Sequence, residues 1–140
     1  LVLAGGRPER VLEIGSGSGY QTAVLAPLVG EICAMERIKG LLEKSRQRLR
    51  KLKIRNVRLR YADGLTGWAD EAPFDAIIAA AAPEEIPQTL IDQLAPGGRL
   101  VMPVGGQIQQ LVQVTLTPDG LETTAVEEVR FVPMLPGRQS

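Results

Sequence analysis

Val11-Leu12-Glu13-Ile14-Gly15-Ser16-Gly17-Ser18-Gly19-Tyr20 decides the fold. A short, mainly apolar strand runs directly into alternating glycines, and a helical pattern from Tyr20 to Val29 follows, with Ala23, Val24, Leu25 and Leu28 as its apolar side. Glycines let the backbone turn sharply and let a ligand come close to it. In an open α/β sheet such a loop lies beyond the carboxyl end of a strand, which is where ligands bind.

The pattern outward from the loop continues as alternating strands and helices. Ile32-Cys33-Ala34-Met35 reads as the second strand and ends in Glu36. Gly40 to Leu52 is a helix, with Leu41, Leu42, Ser45, Leu49 and Leu52 at helical spacing and Lys44, Arg46, Arg48, Arg50 and Lys51 between them. Val57, Leu59 and Tyr61 alternate with Arg58 and Arg60, as in a half-buried edge strand. Asp63-Gly64 marks a turn, and a short irregular helix is expected around Leu65 to Trp68. Phe74 to Ala79 is almost wholly apolar, the signature of a strand inside a parallel sheet.

Pro83 is expected to open a helix over Glu84 to Leu94, with Pro87 in its first turn and Ile86, Leu90, Ile91 and Leu94 on one face. Pro96-Gly97-Gly98 would end it. A strand follows from Arg99 to Met102, stopped by Pro103. Leu111 to Leu116 and Leu121 to Val132 flank Thr117-Pro118-Asp119-Gly120 and predict a hairpin. At the start, Leu1 to Ala4 reads as the last turn of a helix stopped by Gly5-Gly6, an expectation that sequence upstream is missing. Strands joined through helices imply right-handed crossovers and a mostly parallel sheet covered by helices on both faces. The expected fold is therefore α/β and Rossmann-like, with an antiparallel hairpin at the C-terminal end.

Composition narrows the chemistry. The chain has 140 residues, sixteen Lys and Arg against sixteen Asp and Glu, no His and one Cys, and 44% of it is apolar. That length suits one core rather than two. One Cys leaves no internal disulfide, so nothing marks the chain as a secreted, cross-linked scaffold. With no His and one Cys, the usual zinc sites are out of reach and no metal is expected, and His-based triads cannot be built within this chain. No stretch approaches the length of a membrane helix and no signal-like leader stands at the start, so no membrane partner is expected. The balanced charge does not mark a dedicated nucleic-acid binder. The basic run from Lys44 to Arg60 occupies the outer positions of a helix and a strand, the ordinary solvated place. Cys33 is expected to be buried and inert, and Trp68 either plugs the core or covers a cofactor edge.

Three carboxylates stand near successive strand ends. Glu36 can accept hydrogen bonds from the two hydroxyls of a ribose. The loop departs from the dinucleotide fingerprint, because Tyr20 occupies the third small position. Glu13 lies inside the first strand, where it could orient loop amides or meet a cationic ligand end, and where it would repel a diphosphate. Asp63, beside Gly64, could accept from the exocyclic amine of an adenine. A tight turn, a capping Glu and an Asp-Gly turn would explain these residues one at a time, but explain all three together less well. The pattern favours a nucleoside ligand that lacks phosphate and carries positive charge, and S-adenosyl-L-methionine has both properties.

The stretch from Val11 to Ala23, including Gly19-Tyr20-Gln21-Thr22-Ala23, resembles the first motif of the protein-L-isoaspartate (D-aspartate) O-methyltransferases. The resemblance continues through Glu36-Arg37-Ile38, Ala62-Asp63-Gly64, Ala72 to Ile78, Ala81-Ala82-Pro83, Leu94 to Gly105 and Val129 to Pro133. It implies a class I methyltransferase fold and a single unit over residues 1–140, an S-adenosylmethionine-binding core lacking an upstream substrate-facing segment. It also implies methyl transfer to the carboxylate of L-isoaspartyl or D-aspartyl residues in damaged proteins or peptides, whose esters cyclise to succinimides. The expected cofactor-binding residues are Glu13, Gly15, Ser16, Gly17, Gly19, Glu36, Arg37, Asp63 and Gly64. The family's catalytic Ser or Thr belongs to the upstream segment, so no catalytic residue is assigned.

In the same reading Ala79 to Pro83 leaves room near the methyl group, Val129 to Pro133 could pair with a substrate backbone, and Arg130 could position the isoaspartyl group. Three alternatives remain: an RNA or DNA methyltransferase, a cofactor-binding fragment without activity, and a nicotinamide dehydrogenase. Ala79-Ala80-Ala81-Ala82-Pro83 lacks the Asp/Asn-Pro-Pro-aromatic loop that base-amino methyltransferases of this fold resemble one another in, and Glu13 and Tyr20 disfavour the dehydrogenase.

Overall fold

The computed structural model describes residues 8–106, 108–129, 132–133 and 138. The expected helix tail at residues 1–4 therefore lies outside the described residues, as do Arg130 and Phe131. Strand β1 (Arg10–Ile14) leads through the glycine loop to helix α1 (Tyr20–Leu25), which tightens into a 3₁₀ turn at Ala26–Leu28. Then come β2 (Glu31–Glu36), α2 (Lys39–Lys51), β3 (Val57–Tyr61), 3₁₀ turns at Gly64–Thr66 and Ala69–Glu71, and β4 (Phe74–Ala79). Short β5 (Ala81–Ala82), one-turn α3 (Gln88–Ile91), β6 (Leu94–Gly105), β7 (Gln109–Thr117), β8 (Gly120–Val129) and short β9 (Val132–Pro133) complete the chain.

The main sheet has seven strands in the order β3-β2-β1-β4-β6-β7-β8. β3 through β6 are parallel, and β6, β7 and β8 are antiparallel, so the expected α/β architecture and closing hairpin are observed. β3 takes the edge and β4 an inner position, as their residue patterns predict. The strand order reverses between β1 and β4, and the crevice beyond their carboxyl ends is the topological switch point of the sheet.

Side-chain alternation divides the core. Val11, Ile32, Ala34 and Ala76 face Leu25, Ala26 and Val29 on the side of α1. Leu12, Cys33, Met35, Phe74, Ile77 and Leu100 face the other way, toward Leu90 of α3 and Trp68. Each fully buried large apolar side chain contributes about 1.5–3 kcal/mol. Helices thus cover both faces, and Trp68 belongs to the core, with the Arg60 guanidinium 5.3 Å over its ring.

Some expectations are corrected. α1 buries Thr22 and Leu25, whereas Val24 and Leu28 face outward. Leu52 also faces outward, beyond the buried stripe of Leu42, Ser45 and Leu49. The helix expected over Glu84 to Leu94 is a single turn with Pro87 as its N-cap. Pro83 is drawn away to the sheet, where its carbonyl accepts the Gly105 N–H at 2.9 Å, and Leu94 already pairs with Phe74. β6 runs through Pro96-Gly97-Gly98 and Pro103 instead of beginning and ending at them. Its pairing with β4 ends at Val101, so Pro103 has only the β7 side to satisfy, a position that tolerates a missing donor. The hairpin's return strand ends at Val129. Val132–Pro133 forms a separate strand parallel to Ala81–Ala82.

At the opposite end of the sheet, Arg10 and Arg58 bridge Glu31 and Glu71, with Arg58 to Glu71 at 2.6 Å and Arg58 to Glu31 at 3.0 Å. The donor atoms of Glu31, Cys33 and Glu71 lie within 4.8 Å of one another. Both carboxylates are taken by arginines, and burial together with those carboxylates pushes the Cys33 thiol up to about 11. The cluster is an ion-pair network around a protonated thiol. Among the described residues no helix is long and apolar enough to cross a membrane.

Candidate functional site

The glycine loop is built on the end of β2. The N–H groups of Gly15 and Ser16 both donate to the Met35 carbonyl, at 2.8 and 3.1 Å. Gly19 N–H closes the turn on the Ser16 carbonyl at 2.9 Å, and the Gly19 carbonyl accepts the first bond of α1 from Ala23. Gly17 and Gly19 have φ of +56° and +87°, a left-handed backbone that strains any residue with a Cβ. A Cβ on Gly17 would meet nothing within 4 Å, so the crest of the loop faces open space. A Cβ on Gly19 would lie 2.9 Å from Ser45 Cα, because α2 packs directly on the loop.

Glu36 joins loop and helix. Its Oε1 accepts the Gly17 N–H at 2.9 Å, and its Oε2 accepts the N–H groups of Arg37 and Ile38 at 2.9 and 3.0 Å. The residue is 5% exposed. A carboxylate offers about four lone-pair directions. Three are taken by backbone donors, so gripping two ribose hydroxyls requires one of those donors to yield. Arg37 enters this part of the site through its backbone.

Glu13, expected to orient loop amides or to meet a cationic ligand end, contacts α1 rather than a loop amide. Its carboxyl accepts from the buried Thr22 hydroxyl of α1, beneath the loop. Its pKa is raised to about 7, with burial pushing it up, the Thr22 bond pulling it down and the neighbouring Glu36 charge pushing it up. Glu13 is therefore near half protonation at neutral pH, which limits the repulsion between two carboxylates sharing one face of the sheet.

Asp63 caps the 3₁₀ turn after β3, with Oδ1 accepting the Leu65 N–H at 2.8 Å. Gly64 is buried so tightly that a Cβ there would overlap Cγ2 of Ile14, the last residue of β1. Ala62 N–H donates to the Glu36 carbonyl at 3.1 Å. The turn thus stands beside both the Glu36 backbone and the end of β1. Across the switch point, Ala80 N–H donates to the Ile14 carbonyl at 3.1 Å. The Ala80 methyl lies 3.7 Å from where a Gly15 Cβ would stand.

The fold therefore brings the strand ends bearing Glu13, Glu36 and Asp63 around one glycine loop. Sequence reading missed the residues that hold this arrangement. Thr22 partners Glu13. Ser45 donates to the Gly17 carbonyl at 2.7 Å, and Arg48 donates to the Ser18 carbonyl at 3.1 Å. Gln93 bonds the Trp68 N–H and the Thr66 carbonyl. Ser45 carried a readable signal, a hydroxyl in a stripe of leucines.

The family model of protein-L-isoaspartate (D-aspartate) O-methyltransferase matches residues 3–139. A protein-L-isoaspartate O-methyltransferase of Pseudomonas paraeruginosa is 53% identical over 138 residues, covering 98% of this chain and 65% of the relative. The chain thus spans just under two thirds of that relative's length. A solved protein-L-isoaspartate O-methyltransferase superposes with a TM-score of 0.84 at 29% identity, over 91% of this chain and 42% of the other. A candidate enzyme of the same description from Plasmodium falciparum, in complex with S-adenosyl-L-homocysteine, gives 0.80 at 28% identity, over 91% and 66%.

Proposed function

This chain belongs to the protein-L-isoaspartate (D-aspartate) O-methyltransferase family, and on that premise we propose that it binds S-adenosyl-L-methionine and serves methyl transfer to isoaspartyl carboxylates of damaged proteins. The observation that carries the reading is the Gly17 peptide. Its left-handed crest faces open space, and its N–H is held by the buried Glu36 at the switch point of the sheet. A ligand that touches backbone and is gripped by one carboxylate fits there, and a diphosphate beside Glu13 and Glu36 does not.

Glu36 is assigned to the ribose hydroxyls, Asp63 to the adenine amine, and the backbone from Gly15 to Gly19 to the remainder of the cofactor. Ser16, Arg37 and Gly64 shape its walls, and Glu13 supports the loop from below. Bound S-adenosylmethionine supplies a methyl group activated by its sulfonium. An acceptor carboxylate is already ionised at neutral pH, so the chain's task is to hold and align the partners rather than to remove a proton. The small side chain of Ala80 stands next to Gly15 and leaves space beside the loop. The same reading carries no metal, a monomer, a cytoplasmic location suited to a lone buried thiol, and no nucleic-acid or membrane partner.

Calorimetric titration with S-adenosylhomocysteine, beside methylation of an isoaspartyl peptide and its normal aspartyl counterpart, tests both halves. Saturable binding and esterification of the isoaspartyl peptide alone are expected. Binding without esterification would remove the transfer activity and keep the cofactor site. Heat from NAD and none from S-adenosylhomocysteine would overturn the whole reading.

A further inference from the structure

Ser45 is fully buried in the middle of α2, between Leu42 and Leu49 on the same face. A polar group there needs a partner, and the one it has belongs to the glycine loop. Its hydroxyl donates to the Gly17 carbonyl at 2.7 Å and lies 3.4 Å from the Ser16 hydroxyl. One helical turn on, Arg48 Nε donates to the next loop carbonyl, that of Ser18, at 3.1 Å. Consecutive carbonyls are thus drawn toward α2, while the Gly17 N–H is aimed at Glu36. Glu36 also accepts the N–H groups of Arg37 and Ile38, the residues that lead into α2. Gly17 is tied at both its backbone groups to the single β2–α2 unit.

Glycines permit a left-handed loop but do not choose it, because they occupy many other conformations equally well. We propose that Ser45 is a positioning residue for the cofactor: its bond to the Gly17 carbonyl selects the loop conformation that S-adenosylmethionine binds. The proposal rests on the cofactor reading above. Removing the hydroxyl leaves a part-buried carbonyl without its donor and lets the loop populate other shapes. The apparent affinity then falls by the fraction of molecules that remain competent. Arg48 contributes less, because it is exposed and lies over the exposed ring of Tyr20 at 6.0 Å.

Titration of S-adenosylhomocysteine into the wild-type chain, Ser45→Ala, Ser45→Cys and Leu49→Val, with ligand-free melting of each, decides the matter. Ser45→Ala should weaken binding about tenfold, with Ser45→Cys, a weaker donor, between it and the wild type. Leu49→Val removes core contact from the same helix and should lower Tm by a few degrees while leaving affinity within about twofold. The proposal falls if Ser45→Ala binds as the wild type does. It falls also if both alanine and valine variants lose affinity in proportion to their loss of Tm. Failure of the wild type to bind would instead remove the cofactor reading and the role of Ser45 with it.

Discussion

Gly17 and Gly19 share a left-handed backbone for different reasons, and substitution separates them. Gly17→Ala pays backbone strain of about 1 kcal/mol, with open space for its methyl group. The chain should fold, and S-adenosylhomocysteine affinity should drop tenfold or more, because that methyl stands in the ligand's space. Gly19→Ala adds a collision with the Ser45 backbone and should cost about 2–4 kcal/mol of stability. Urea unfolding and calorimetry on the two variants check the contrast; equal losses of stability would refute it. Glu13 supplies a pH dependence of defined sign. Its folded pKa of about 7 lies above the ordinary 4.5, so the native state keeps a proton that the unfolded chain releases between those values. Its contribution to stability is complete below about pH 4.5 and is lost as pH rises through 7, amounting to about 3 kcal/mol. Glu13→Gln should remove that slope and exceed the wild type in urea midpoint at pH 8. Parallel pH profiles for the two proteins would contradict this origin.

At the scale of elements, one buried side chain ties the segment between β3 and β4 at two points. Gln93 is buried, with Oε1 accepting the Trp68 N–H at 2.9 Å and Nε2 donating to the Thr66 carbonyl at 3.1 Å. Gln93→Ala leaves both backbone groups unpaired and should destabilise by about 2–3 kcal/mol. Trp68 is the only tryptophan in the chain, so its emission should also shift to the red; an unchanged spectrum would show that the segment holds without Gln93. Nothing in the sequence around Gln93 announced this, because its partners are backbone groups more than twenty positions away. Local patterns were legible where they were sufficient. The apolar run of β4, the alternation of β3 and the leucine stripe of α2 each belong to a single element. The residues from Glu84 to Leu94 carry a helical pattern too, but the pull of Pro83 and Leu94 toward the sheet leaves one turn of it. The site divides in the same way. Its loop glycines and acids lie in short motifs, whereas the hydroxyls of Thr22 and Ser45 acquire meaning only when α1 and α2 fold back on the loop.

At the scale of the whole molecule, the order β3-β2-β1-β4 encloses Cys33 between Leu12 and Arg58 in the same strands that carry the site. The thiol is fully buried, and its pKa is pushed up to about 11 by burial and by Glu31 and Glu71, against the opposing pull of Arg10 and Arg58. The thiolate, not the thiol, is the nucleophile that attacks thiol reagents, so native Cys33 should be unreactive at pH 8 and should react only through openings that detach β2 from a neighbour. Such an opening also displaces Met35, whose carbonyl anchors Gly15 and Ser16, and Glu36, which holds Gly17. Ligand binding must therefore oppose it. S-adenosylhomocysteine at about one hundred times its Kd adds about 2.7 kcal/mol to the closed state and should slow Cys33 modification roughly a hundredfold. Gly17→Ala, with its Kd raised tenfold, should keep only about tenfold protection relative to its own unliganded rate at the same ligand concentration. Protection of both proteins alike would mean that the ligand stabilises the chain from somewhere other than the glycine loop.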